Sequence, residues 1–465
     1  MADAGVISTV RSRVFSDSAN AKIFRAGVVV SSLGVVTTGA TALKELTIAR
    51  YFGRNDAIDA YFIAYLLPSF VVGLVVGSLG AALIPVFVEV RQQRGAAAAQ
   101  DLFSSVAVLN LAVLAVIAVL LGVLAPYYLP YVASGFSPEK LRLTRELLLA
   151  LLPFIVFSGT ALCITYVLNA GERFAIPALV PLITPVAVIL CVVLTTRQWG
   201  AYSIVVGTIG GSFLEAGALA ATLKKHGIRF RLKWHGFMAD VRAVLRQYAP
   251  MIAGSFLLGS TLVVDKSMAA MLPGGSVAAL SYANKIITGL ITIGATALST
   301  ASFPYFSKMV AEKDWNGCRH TLKRYSGLVL AVSVPLTLCL IVFSKPIVGV
   351  LFQRGAFTAA DTELVSRVQI CYLIQVPFYT LGTLFVKFLS AARRNEILMY
   401  GMAISLVLDV ILNLVLMRYW GVAGIALSTS ATYLVSLCYL VVCSSVVLKG
   451  FQKVGSSPNR AAGLS

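Results

Sequence analysis

Lys285 sits in a stretch, Ser281 to Ser299, that is apolar enough to cross a bilayer. Ser281, Thr288, Thr292, Thr296 and Ser299 recur around it at helical spacing, so one polar face runs along an otherwise aliphatic helix. An ammonium group in hydrocarbon costs about 2.5–3.5 kcal/mol on insertion scales, so this face is expected to meet water or an anion rather than lipid. A second helix repeats the design, with Gly34, Thr37, Thr41 and Lys44 on one side. Lysines beside hydroxyls suit capture of an anionic headgroup, since the ammonium supplies charge and the hydroxyls hydrogen-bond phosphate or sugar. Each lysine also has a plainer reading. Lys285 lies only a few turns from its helix start and could snorkel to the interface. Lys44 is followed by Glu45, and the two could form a local ion pair.

Other charges fall in apolar runs. Asp265 and Lys266 are neighbours and therefore point to different helix faces, so each needs its own partner on another helix. A structural salt bridge and a coupling-ion or substrate site both fit them. Asp409 follows Ser405 and precedes Asn413 by four residues, which puts a carboxylate and an amide on one mid-span face. It could bind a proton or cation, or support helix packing. Lys387 precedes Arg393 and Arg394, as an electrostatic entrance or a snorkelling lysine. Asp59, after Asp56, reads as the cap of its own helix. Thr358 reads as another helix cap.

A membrane bundle must position these groups. The 465 residues are 58% hydrophobic and only 12% charged, half the share of a soluble domain. The fold expected is all-α and polytopic, with about twelve spans. They lie near 26–48, 60–88, 102–125, 146–169, 174–196, 202–223, 248–272, 277–303, 325–344, 368–391, 397–417 and 421–447. Basic residues collect in alternate loops, among them Arg11, Arg13, Arg91, Arg94, Lys224 to Arg246, Lys308 to Arg324, Arg393, Arg394 and Lys449. That side is the cytoplasm by the positive-inside rule, and both termini belong to it. The net charge of +19 is therefore a topology signal, and no nucleic-acid partner is expected. The segments are a cytoplasmic 1–25, a first lobe 26–223, a basic linker 224–247, a second lobe 248–448 and a cytoplasmic tail 449–465.

The two lobes read as repeats. Ile84-Pro85-Val86-Phe87 and Phe303-Pro304-Tyr305-Phe306 each end a span before a charged loop. Leu168 to Arg173 and Leu389 to Arg394 join later spans at nearly the same separation. Six helices is an even number, so the lobes share orientation, with a central cavity expected between them. Pro68, Pro85, Pro177, Pro181, Pro185 and Pro304 can kink spans. The seven cysteines show no paired spacing and the three histidines fall in loops, so neither a metal nor a cofactor is expected. No phosphate loop of the Gly-Lys-Ser type occurs, which argues against an ATP-driven pump or an enzyme.

Ala49-Arg50-Tyr51-Phe52-Gly53, Asp59-Ala60-Tyr61-Phe62, Tyr282-Ala283-Asn284-Lys285 and Leu351 to Thr358 resemble the MurJ/MviN lipid II flippases. Asn413 with Gly421 to Ala426 resembles polysaccharide exporters of the same multidrug/oligosaccharidyl-lipid/polysaccharide superfamily. The resemblance covers nearly the whole chain. It implies alternating access and flipping of polyprenyl-pyrophosphate-linked sugars to the outer leaflet of a bacterial inner membrane. Membrane lipids and polysaccharide polymerases or glycosyltransferases are the partners it implies. Its members use cavity arginines for the pyrophosphate. Lys44 and Lys285 stand where two of these would be, and Thr38 and Val72 replace two more. Lysine keeps the charge but loses the bidentate fork. The family also tends to carry two further spans, whereas this chain ends at Ser465 after twelve. These departures favour a related lipid-linked oligosaccharide over lipid II itself. The rivals are a cation-coupled drug exporter, which would want an acidic cavity, and a scaffold in saccharide assembly.

Overall fold

The structure is a computed structural model that describes residues 19–228, 230 and 232–455. Side chains of 19–31, Leu258, Leu290, 292–297, 299–301, Pro304 and 452–455 are also outside the described set. The Thr292, Thr296 and Ser299 side chains of the expected polar face therefore lie outside it, as do Arg11, Arg13, Arg229, Arg231 and Arg460. The described residues form helices and no strands. Those helices are α1 (Ala19–Phe52), α2 (56–94), α3 (96–132), α4 (Pro138–Ala170), α5 (Ala175–Trp199) and α6 (Tyr202–Lys225). They continue with α7 (Ala239–Ala269), α8 (Ser276–Ala311), α9 (Trp315–Val342), a short α10 (Ser344–Phe352) and α11 (Ala359–Ala391). The last are α12 (395–420) and α13 (422–455). The protein is an all-α, polytopic membrane protein.

Eight helical stretches among the described residues are long and apolar enough to cross a membrane. Two of these are far longer than the ~20 residues one crossing needs. Asp56–Val132 bends at Gly95 (φ 85°, ψ −178°), and the last stretch bends at Gly421 (φ 55°, ψ −133°). Both glycines adopt a backbone that L side chains avoid, so each separates two spans without a long loop. Prolines act within spans. Pro68 offers no N–H to its helix, and a π turn at Val72–Val76 follows it. In α5 the prolines 177, 181 and 185 coincide with a 3₁₀ turn at Val180–Leu182.

The chain divides into two compact units. The first takes Met1–Phe52, Ala60–Tyr131 and Ser137–Phe256. Its core gathers Leu83, Phe87, Phe103, Ile155 and Ile164. Helices α5 and α6 approach closely at Gly207 and Gly211, where a Cβ would collide with the backbone of Val188 and Thr184. Apolar side chains gain little by leaving lipid for one another, so close backbone contact over small residues holds such a pair. The second unit takes Leu257–Ser465, and its core centres on Phe306, Leu384, Phe388 and Leu389.

The second unit also includes Gly53–Asp59, the segment that joins α1 and α2. Asp59 is buried, and its carboxylate accepts the N–H of Gly275 at 2.6 Å and of Ala278 at 2.8 Å. It thus caps α8, not the helix it starts. Asn55 caps that one, accepting the Ile58 N–H at 3.0 Å. The local sequence shows a carboxylate in a first turn, but chain folding delivers it to a more distant helix end, where two orphan N–H groups and the helix dipole await an anion. Arg54 pairs with Asp361 at 3.0 Å, and the Tyr282 hydroxyl donates to the Gly53 carbonyl at 3.1 Å. Gly53 has φ +58°, and a Cβ there would strike the Ala356 carbonyl. Asp361 also closes a capping box with Thr358 at the start of α11, the cap expected from the sequence. The Arg-Tyr-Phe-Gly-Arg motif is therefore a structural clasp. Asp59→Ala should strand two buried donors and cost about 2 kcal/mol or more. The check is the melting temperature of the detergent-solubilised protein; an unchanged value would show that the cap is dispensable.

Candidate functional site

In the first unit, α1 places Thr37, Thr41 and Lys44 on one side. The Thr37 hydroxyl donates to the Gly34 carbonyl and that of Thr41 to the Thr37 carbonyl, each at 2.9 Å. Both oxygens keep lone pairs for a further donor, but their protons are used within the helix. Lys44 forms an ion pair with Glu45 at 3.1 Å, with the carboxylate almost wholly buried. A cation held beside a carboxylate keeps its charge in a low-dielectric place, and an incoming phosphate would have to compete with Glu45 for it. Nearby, Tyr61 and Tyr65 stack at 5.9 Å, and the Tyr61 hydroxyl lies 3.4 Å from that of Thr208.

In the second unit, α8 exposes Lys285 and Thr288 together. The Thr288 hydroxyl donates to the Asn284 side chain at 2.7 Å. Ser281 was expected on the same wet face but is buried, at 6% exposure. The first turns of α8 are covered where Asp59 and Gly53 bind Gly275, Ala278 and Tyr282, so the accessible polar stripe begins only at Asn284 and Lys285.

The densest polar group lies deeper in the second unit. Asp265 on α7 and Asp409 on α12 are both buried, at 5% and 1% exposure. The Asn413 amide donates to both, at 2.7 Å to Asp265 and 3.3 Å to Asp409. Thr429 on α13 donates to the other Asp265 oxygen at 3.3 Å, and Ser428 donates to the Asp409 carbonyl at 3.2 Å. The Asn413 carbonyl oxygen is buried with no hydrogen-bond partner. Two carboxylates that share one amide cannot both hold a full negative charge away from water without a proton or cation between them. Among the described residues no group of three or more His, Cys, Asp or Glu could hold a metal ion. Two carboxylates, an amide oxygen and a hydroxyl are instead a donor set for a proton or a hard, oxygen-seeking cation.

The remaining charges have separate settings. Asp265 turns to α12 and α13, and Lys266 is half-buried one position on. Lys387 holds its ammonium 5.8 Å from the Phe303 ring centre, a cation–π contact. Sequence reasoning passed over Thr429, whose signal was a polar run, Ser428 to Ser430, inside an apolar span. It also passed over Glu215, which lies on α6 and accepts the Thr184 N–H at 3.1 Å. That N–H is available because the backbone of α5 changes from 3₁₀ to α between Pro181 and Pro185. An acidic residue inside the apolar 202–223 run was the signal for it.

These intramembrane charges sit in a chain whose residues 48–457 match the family model described as "Lipid II flippase MurJ". The chain belongs to the MurJ family. It is 26% identical over 427 residues to a probable lipid II flippase MurJ of Rickettsia prowazekii, covering 90% of this chain and 83% of that one. A probable lipid II flippase MurJ of Vibrio cholerae is 24% identical over 441 residues, covering 92% and 84%. Among solved structures, a lipid II flippase MurJ in an inward closed conformation superposes with a TM-score of 0.78 at 22% identity, covering 93% and 94%. An inward-facing MATE-family multidrug transporter of the MOP superfamily gives 0.74 at 14% identity, covering 92% and 99%. A MurJ-family chain is a membrane transporter, not an enzyme. The sequence alone had ranked lipid II behind other lipid-linked saccharides, because lysines replace arginines and the span count is twelve. Family membership reverses that order.

Proposed function

We propose that this MurJ-family protein flips lipid II from the cytoplasmic to the outer leaflet of a bacterial inner membrane. The family match over residues 48–457 carries this reading. The polyprenyl tail stays in the bilayer while the headgroup crosses. Lys285 and Thr288 offer it an exposed cation and hydroxyl, and Lys44 with Thr37 and Thr41 offer a second polar face. A dianionic headgroup moving outward gains from an inside-negative potential, about 2.3 kcal/mol per charge per 100 mV if it crosses the whole field. The Asp265, Asp409, Asn413 and Thr429 cluster serves as the coupling-cation or proton site, supported by its shared amide and its burial.

Proteoliposomes holding the purified chain test the substrate. Fluorescent lipid II should change leaflets in a protein-dependent way, and faster than a polyprenyl-pyrophosphate carrying an unrelated oligosaccharide. Transport of the unrelated oligosaccharide alone would overturn the assignment of lipid II, and transport of neither would overturn flipping.

A further inference from the structure

A charged cavity in the second unit is lined by none of the polar-face residues described above. Its volume is about 360 Å³. Arg319, Lys323 and Ser326 reach it from α9, Phe385 from α11, and Ser444 and Lys449 from α13. The α9 residues Arg319, Lys323 and Ser326 are spaced by four and three, and Val441, Ser444 and Leu448 on α13 by three and four, so one face of each helix fronts the cavity, with Lys449 beside it. Leu322, Val441 and Leu448 supply apolar wall between the charges. Arg319, Lys323 and Lys449 are exposed, and none makes an ion pair among the described residues. The hydroxyls of Ser326 and Ser444 are buried in the lining with no hydrogen-bond partner, and Ser444 is only 1% exposed. An unpartnered buried hydroxyl is costly, and two in one basic cavity call for an acceptor from outside the protein. Trp315 stacks on Phe451 at 4.2 Å at the same end of α9 and α13, an aromatic pair of the kind that sits at headgroup level.

We propose that this cavity binds the phosphate of an anionic phospholipid from the cytoplasmic leaflet. Arg319, Lys323 and Lys449 neutralise the phosphate, and Ser326 and Ser444 donate hydrogen bonds to it. One acyl chain lies along Leu322, Phe385, Val441 and Leu448. Three cations answer an anion, and the four apolar side chains of the lining answer a hydrocarbon chain, which a free phosphate does not have. Basic pockets between spans on the cytoplasmic side suit such headgroups. The proposal is independent of the cargo, because it concerns a resident lipid on the second unit.

Native mass spectrometry of the full chain in detergent tests it, with phosphatidylglycerol, phosphatidylcholine, inorganic phosphate and lipid II as separate probes. Phosphatidylglycerol should bind at least about tenfold more tightly than phosphatidylcholine. The triple variant R319Q/K323Q/K449Q should lose this preference, and the single variant K323E should weaken it while keeping the wild-type melting temperature. All three residues are exposed, so the fold does not depend on them. Equal binding of the two lipids, or an unchanged preference in both variants, would overturn the proposal. Displacement of phosphatidylglycerol by inorganic phosphate would make the cavity a soluble-anion site, and displacement by lipid II would make it a cargo site; either result also overturns it.

Discussion

Lys285→Ala is expected to slow lipid II transport by about tenfold or more, while Lys285→Arg keeps most of it. A hydrogen bond from a charged donor to phosphate contributes about 1.5–3 kcal/mol, and each 1.4 kcal/mol is a factor of ten. Lys285 is exposed on α8 beside Thr288, so its removal leaves the buried packing of Ile287 and Tyr282 intact. The melting temperature should therefore stay the same while the rate falls. Arginine restores the charge and adds a fork that suits a pyrophosphate. Equal rates for alanine and wild type in proteoliposomes would remove Lys285 from the transport route. Lys44→Ala is expected to behave differently. It would leave Glu45 buried without its 3.1 Å ion pair, so stability should fall along with rate.

Asp265→Asn and Asp409→Asn should each abolish the dependence of transport on a cation gradient. Both carboxylates are buried and share the Asn413 amide, so the pair can accept one positive charge that either carboxylate alone binds poorly. Neutralising one member removes half of the charge that attracts the cation. Asparagine is close in shape to aspartate, and Asn413 and Thr429 can still bond to it, which limits the loss of stability. Transport should be measured with imposed proton and sodium gradients in turn. Wild type should respond to one of the two and the variants to neither. Variants that keep the full response would make the cluster a packing device between α7, α12 and α13. A loss of melting temperature of the same size in both variants, without a change in gradient response, would point the same way.

The spans were legible because hydrocarbon imposes long apolar runs, and the basic loops punctuate them. The Asp409 to Asn413 spacing of four was legible for the same reason that any helix face is. Long-range capping was not. Asp59 looks like a local cap, and only the folded chain brings it to Gly275, 216 residues away. Ser281 shares helical phase with Lys285, yet the clasp at Gly53 to Asp59 buries one and leaves the other exposed. Phase gives the direction of a side chain but not what covers it. Short α10 escaped notice because its nine residues fall below the length of a span and merge with the end of α9 in hydropathy. Substrate choice was the least legible feature, since lysine and arginine both attract pyrophosphate. The proposal of lipid II rests on the family match over residues 48–457, not on the individual cations.

The most direct measurement concerns water. Thr288→Cys, made in a variant with all seven native cysteines replaced, should react with a charged, membrane-impermeant maleimide, and lipid II should protect it. Thr288 is exposed one turn beyond Lys285, so its labelling reports what that face of α8 meets. Labelling by a lipophilic maleimide alone, with no protection by lipid II, would mean that the face lies against acyl chains, and the headgroup would have no path along it.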